Sequence, residues 1–190
     1  MNSLARTVDP ARVAVAASAV RAHLRLDDDA EETHLASLIA TAVNWAEGFT
    51  RRALITQTWA YYLDGFPTVI ALPRPPLQSV SSIAYVDGAG DSQTLSTSVY
   101  TVDTTAEPGL IYPAYGEVWP PTQAIPKSVT VTFVAGYGTD PADVPAEIAQ
   151  AISLYVSRHF DLREPVIVGT ISSDLRSDEA LLRPYQISGF

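Results

Sequence analysis

The chain has 190 residues, 47% hydrophobic and 17% charged, a formal net charge of −9 and no cysteine, enough for one domain of ordinary size or a compact domain with an insertion. With Lys127 as its single lysine and its arginines scattered, it lacks the clustered cations that grip nucleic-acid phosphates, and the missing cysteines exclude disulfides and thiol chemistry. No apolar run approaches the roughly 18 residues that cross a bilayer, and MNSLARTVDPARV carries no signal-peptide h-region.

The first predicted element is a helix over residues 16–24, where Ala16, Ala17, Ala19 and Ala22 favour the helix and Val20 and Leu24 give a thin apolar stripe. A stronger helix is predicted over 33–52. Leu35, Leu38, Ile39, Ala42, Trp45, Ala46 and Phe49 recur at spacings of three and four and share one face. His34, Ser37, Thr41, Asn44, Glu47 and Arg51 fall on the other. Asp27, Asp28, Asp29, Glu31 and Glu32 cluster at its start, where acids favour the helix dipole, and Arg51 and Arg52 at its end.

The period then changes to two. Ile55, Gln57, Trp59, Tyr61 and Leu63 alternate with Thr56, Thr58, Ala60 and Tyr62, which predicts a strand. With almost no loop between them, this helix and strand are expected to pack as one unit. Up to Tyr137 the grammar stays β. Pro67, Pro73, Pro75 and Pro76 forbid a long helix. Val80 to Val86 reads as a strand that turns at Asp87-Gly88-Ala89-Gly90-Asp91 and returns over Gln93 to Leu95. Short strands follow at Val99 to Val102 and Leu110 to Tyr112. The strict alternation from Ser128 to Val134 gives the cleanest strand. Trp119 stands among prolines between Pro113 and Pro126, which predicts a fixed, exposed loop. From Ala53 to Val144 the only bases are Arg74 and Lys127, so the excess negative charge is concentrated there.

A third helix is predicted over 145–160, opened by Pro145 and with Ile148, Ala149, Ile152, Tyr155, Val156 and Phe160 on one face, set to pack against the Leu35–Phe49 stripe. A short capped helix near 177–183 follows, stopped by Pro184. The predicted fold class is α+β: a small helical bundle with an antiparallel β insertion between its second and third helices. Residues 1–52 and 145–190 form the body with a C-terminal tail, and 53–144 the insertion packed on it.

Chemistry is sparse. His23, His34 and His159 have no metal-ligand spacing, and His159 reads as a partly buried structural residue. There is no nucleophile elbow and no P-loop, and Gly88-Ala89-Gly90 reads as a hairpin turn. Asp27-Asp28-Asp29 lacks the ligand spacing of a calcium loop. No catalytic, cofactor or metal site is expected. The aromatic strand Trp59, Tyr61, Tyr62 and the Trp119 loop leave one alternative, a small-molecule or glycan-binding β module of a soluble protein.

The order of motifs is more telling than any one of them. AHLRL (Ala22–Leu26), LASLIATAVNWAEGFTRRALITQTW (Leu35–Trp59), LPRPPLQSVSSIAYVDGAG (Leu72–Gly90), VTVTFVAGYG (Val129–Gly138), VPAEIAQAI (Val144–Ile152), Arg163-Glu164 and LLRPY (Leu181–Tyr185) occur in sequence. In this order the chain resembles the head–tail connector (adaptor, or head-completion) proteins of long-tailed phages and gene transfer agents, in the longer branch with a β insertion. The resemblance implies a virion component at the head–tail junction, assembled in the host cytoplasm, without catalysis, cofactor or membrane. It implies a dodecameric ring beneath the portal protein, a downstream stopper or tail-terminator partner, and double-stranded DNA that transits without specific binding. Leu181, Leu182, Arg183, Tyr185, Ile187 and Phe190 are the candidate portal-docking residues. Trp119 and Tyr115 are the candidate ring or tail contacts.

Overall fold

The computed structural model describes residues 2–26, 31–161 and 177–187. Asp27-Asp28-Asp29, Phe190 and the stretch 165–176 fall outside them. Among the described residues the chain is α+β, with four helices and two antiparallel sheets, and it divides into two compact units.

The first unit comprises, of the described residues, 2–11 and 56–137. Its strands are β1 (Ser3–Val8), β2 (Gln57–Leu63), β3 (Ile70–Leu72), β4 (Leu77–Val86), β5 (Ser92–Thr94), β6 (Tyr100–Asp103), β7 (Gly109–Pro113) and β8 (Val129–Ala135). Five of them form a sheet in the order β1-β2-β8-β4-β5, and three a second sheet, β3-β7-β6. The alternation of β8 is realised directly: Val129, Val131 and Phe133 are fully buried, while Thr130, Thr132 and Val134 are half-buried on the opposite face. Each such buried Val or Phe is worth roughly 1.5–3 kcal/mol relative to exposure. Register places Trp59, Leu63, Ile83 and Tyr85 on the Val131 face. The second sheet contributes Ile70, Leu72, Tyr100 and Ile111 as buried residues. The sheets meet at Gly109, where a Cβ would collide with the Leu77 side chain, so glycine is required by this close approach.

The other face of the five-stranded sheet has a distinct composition. It carries Thr58, Ala60 and Tyr62 from β2 and Thr130, Thr132 and Val134 from β8. The flanking strands add only serine, threonine, alanine and valine. By register no charged residue belongs to this face. At its rim, Lys127 places its ammonium 5.2 Å from the centre of the Tyr62 ring.

The predicted strands from Val80, Val99, Leu110 and Ser128 correspond to β4, β6, β7 and β8. Sequence reading assigned no element before Arg12, yet β1 pairs with β2 as an edge strand. Its side chains are half-buried or exposed, so it leaves no apolar alternation to read. β3 was missed because its three residues sit between prolines. β4 begins earlier than predicted, at Leu77, because register shifts between Leu77 and Ser79 and between Val80 and Ser82 break the period of two.

The second unit comprises, of the described residues, 12–26, 31–55, 138–161 and 177–187. The boundary between Ile55 and Thr56 assigns the long helix and β2 to different units. The second unit holds α1 (Ala17–Leu24), α2 (Glu32–Thr50), α3 (Ala146–Asp161) and α4 (Ser177–Leu182), with short 3-10 turns at Pro141–Asp143 and Arg183–Tyr185. Leu35, Ile39, Ala42 and Ala46 of α2 are buried and face α3, where Ile148, Ala151, Ile152 and Val156 are buried.

The stripe is narrower than predicted. Leu38, Trp45 and Phe49 are half-buried, and Trp45 stacks on Tyr155 at 4.7 Å along the edge of the helix pair. Glu47, predicted to face solvent, is buried because its carboxylate accepts the Leu54 backbone N–H at 2.9 Å, closing the chain as it leaves the helix. That exit is made at Arg51, whose φ of 58° ends α2 at Thr50, two residues before the predicted end. His159 is exposed rather than partly buried, stacked on Tyr155 at 4.1 Å, with its Nδ1 2.9 Å from the Tyr155 carbonyl.

Candidate functional site

The described residues contain no group of three or more His, Cys, Asp or Glu side chains placed to hold a metal ion, and none of their helices is long and apolar enough to cross a membrane. Three carboxylates of the β region instead bind backbone amides. Asp87 accepts the amides of Ala89 and Asp91 and the side chain of Gln93. Asp103 accepts from the hydroxyl and amide of Thr105 and the amide of Ala106. Hydrogen bonds hold both carboxyls below the usual carboxylate range: for Asp87 chiefly from the Asp91 amide and then Gln93, and for Asp103 chiefly from Thr105. Asp64 accepts the amide of Lys127, which sits at φ 59°. The local excess of acid therefore has a structural use that composition alone does not reveal.

Two of the aromatic side chains singled out by sequence, Trp59 and Trp119, pack against other side chains. Trp59 is only 8% exposed, and the guanidiniums of Arg6 and Arg74 lie 5.8 and 5.3 Å from its ring centre. Trp119 turns a face onto Phe66, with the rings 4.9 Å apart and nearly parallel, and Phe66 in turn meets the edge of Tyr85. The Trp119 indole N–H donates to the Thr68 carbonyl at 3.4 Å.

Trp119 is thus half-buried, the anchor of its loop rather than its exposed feature. The exposed feature is the segment before it. Tyr115 is 106% exposed and Val118 80%, with Tyr112 also exposed at the loop's start. The segment is tied down on both sides: Ala114 N donates to the Val99 carbonyl at 2.8 Å, Glu117 N to the Ala114 carbonyl at 2.9 Å, and Gln123 N to the Val86 carbonyl at 3.0 Å. Tyr115 and Val118 therefore stand on a rigid tip. Rigidity lowers the entropy lost when such a tip is covered by a partner.

In the second unit, the candidate docking residues near the C-terminus fall into two sets. Leu182 is fully buried and Leu181 half-buried, which anchors α4, while Arg183 is exposed. The Arg158 guanidinium fastens the start of α4 through a 2.6 Å ion pair with the buried Asp178. Beyond Pro184 the chain turns back on its own unit. The Tyr185 hydroxyl donates to Glu147 Oε2 at 2.9 Å, Arg52 Nε donates to the Tyr185 carbonyl at 2.7 Å, and Ile187 N donates to the Thr50 carbonyl at 3.1 Å. Glu147 is held below the usual carboxylate range, first by a backbone N–H and then by Tyr185, and its partner Tyr185 is raised chiefly by the same hydrogen bond.

Sequence reading missed this clasp. Sequence alone places Arg52 at a helix end, where a cation favours the dipole, and gives Glu147 no role. Their pairing with Tyr185 spans 133 and 38 residues, and no local pattern encodes it. Phe66 was likewise unmarked, since a lone Phe beside Pro67 carries no period.

No protein-family model matches the chain, and no curated protein matches it. Solved structures do. A chain from the neck of an empty gene transfer agent (GTA) particle, computed with C6 symmetry, superposes with a TM-score of 0.80 at 22% identity, covering 99% of this chain and 97% of that one. A chain from the virion of a native GTA particle gives 0.81 at 23% identity, covering 98% and 96%. One from the neck of a native GTA particle, computed with C12 symmetry, gives 0.68 at 22%, covering 97% of each. At these identities the likeness is one of fold, and it runs through both units from end to end.

Proposed function

We propose that this chain is a structural subunit of the neck of a phage-like or gene transfer agent particle, located at the head–tail junction. The observation that carries this reading is the likeness in fold, over 98–99% of the chain, to chains from a GTA neck and virion. A partial match would leave the function to an unmatched domain. The site geometry is in keeping: Asp64, Asp87 and Asp103 bind backbone amides, and the Trp59 and Trp119 rings pack against other side chains.

The finer reading is a head–tail connector, or adaptor. Twelve copies close a ring under the portal protein, extend the DNA channel, and present a surface to a stopper or tail-terminator protein. The C6 and C12 symmetries of the similar necks support a ring of copies. A formal charge of −9 suits a conduit, since each cation set on a phosphate adds affinity and would slow the passing duplex. The C-terminal segment is the proposed portal contact, with Arg183 its exposed member and α4 its base.

The test is to mix the purified protein with portal-bearing heads and follow mass and negative-stain images. The expected result is a ring of added density beneath the portal. Heads of unchanged mass and outline at saturating protein would overturn the reading. A monomer in solution is compatible with it, because the ring can form on its template.

A further inference from the structure

The two most unusual surfaces of the first unit lie on opposite sides of one sheet. The rigid tip bearing Tyr115 and Val118 is anchored through Trp119 and Phe66 to Tyr85, and Tyr85 shares the buried face of the five-stranded sheet with Val129. The opposite face is the uncharged field of Thr58, Thr130, Thr132 and Val134, bordered by Lys127. A solvent-facing sheet surface ordinarily carries interspersed charges, which keep it soluble and unpaired. A run of five strands without one calls for a covering surface.

We propose that this uncharged face receives the Tyr115–Val118 tip of a second copy of the same chain, and that the repeated tip-on-face contact is what closes the ring. This rests on the ring reading above. Three observations point to a copy rather than to another partner. A tip on one side and a field on the other is the arrangement of a head-to-tail contact, which propagates around a rotation axis, and the necks of similar fold have C6 and C12 symmetry. Charges match across the contact: Glu117 sits in the exposed tip and Lys127 at the rim of the field. The size is also suitable. Four strands spaced about 4.8 Å apart and at least about 20 Å long, with β5 about half that length, give a field of about 400 Å², half of the roughly 800 Å² per partner of a stable pair. One contact alone is therefore weak. A closed ring holds each copy from both sides and gains from effective concentration.

The absence of cysteine from the chain makes the test clean. A Val118→Cys, Thr132→Cys double variant, assembled into rings and treated with a short bifunctional maleimide, is expected to give a ladder of covalent multimers on a denaturing gel, while each single variant gives monomer. Rings whose double variant stays monomeric on the gel would overturn the tip-on-face contact and leave the ring reading standing. Dimers from Val118→Cys alone would overturn it too, because they report tips meeting across a two-fold axis. If the parent protein forms no ring on heads, the connector reading falls and this contact with it. A Thr132→Glu variant supplies the second readout. Unchanged melting with at least tenfold less ring supports the contact, whereas a melting temperature lowered together with ring yield would assign the face to the protein's own core and overturn it.

Discussion

Tyr185 donates its hydroxyl proton to Glu147 across 2.9 Å, joining the last described turn of the chain to the first turn of α3. The two ends of this hydrogen bond titrate in opposite directions. Glu147 has a lowered carboxyl pKa in the folded state, first through a backbone N–H and then through Tyr185. Its contribution is present above the ordinary carboxylate range and lost as pH falls through the lowered value. Tyr185 is raised, chiefly by Glu147, so its contribution is present below the ordinary phenol value and lost as pH rises through the raised one. A Tyr185→Phe variant should melt slightly below the parent near neutrality. The gap should close on the acid limb and close again on the alkaline limb. A gap constant with pH across thermal scans would show that the pair does not contribute.

Ile39 and Leu38 are adjacent on α2 but differ in burial: Ile39 is 2% exposed and Leu38 half-buried. Ile39→Ala should cost about 2–5 kcal/mol through lost transfer energy and a cavity. Leu38→Ala, whose site opens to water, should cost clearly less. Urea melts of the two variants check the order, and equal losses would contradict the narrow stripe.

Arg158 and Asp178 form an asymmetric pair, with Asp178 2% exposed and Arg158 in partial contact with water. Removing the arginine leaves a buried carboxylate without its partner, an arrangement that costs about 3–5 kcal/mol. Arg158→Met should therefore destabilise more than Asp178→Asn, which keeps the volume and removes the buried charge. Denaturant titrations of the two proteins decide this, and the reverse order would refute it.

Gly138 lies against the Asp143 side chain so closely that a methyl group would overlap the carboxylate. Asp143 also accepts the Asp140 amide in a capping box whose other half is Asp140 accepting from Ala142. Gly138→Ala should cost about 1–3 kcal/mol by overpacking. Combined with Asp143→Ala, which alone loses a cap worth about 0.5–2 kcal/mol, the cost should fall below the sum of the single effects. Additive losses in a double-mutant cycle would show that the two positions do not touch.

Deleting Gln186–Phe190 removes the half-buried Ile187 side chain and the backbone hydrogen bonds of Gln186 to Arg183 and of Ile187 to Thr50. Under the proposed portal contact, melting should fall by a few degrees at most while attachment to portal-bearing heads is lost. Normal attachment by the shortened protein would place that contact elsewhere.

Elements that carry an apolar period of their own were legible in the sequence. β8 alternates because one face is buried, and α2 and α3 repeat at helical spacing because they face each other. What was not legible depends on residues far apart in the chain. β1 is an edge strand that is made by β2 and has little apolar pattern of its own. Glu47 and Arg52 are buried by the geometry of a chain exit, and Arg52 is engaged there by the carbonyl of Tyr185. At the candidate tip, Tyr115 and Trp119 were both marked, but their roles differ. Which aromatic anchors and which projects was decided by Phe66, a residue with no signal beside it.

The division of the chain into two units has a consequence for how the protein is made. Once Tyr137 has left the ribosome, all eight strands of the first unit exist, from β1 to β8, and its core can close. The second unit cannot finish then, because α2 waits for α3, and the fully buried Leu182 is made later still. Vectorial synthesis thus delivers a folded β unit while the helical unit is still incomplete. A ribosome stalled before α3 would carry a finished sheet and an unpaired α2.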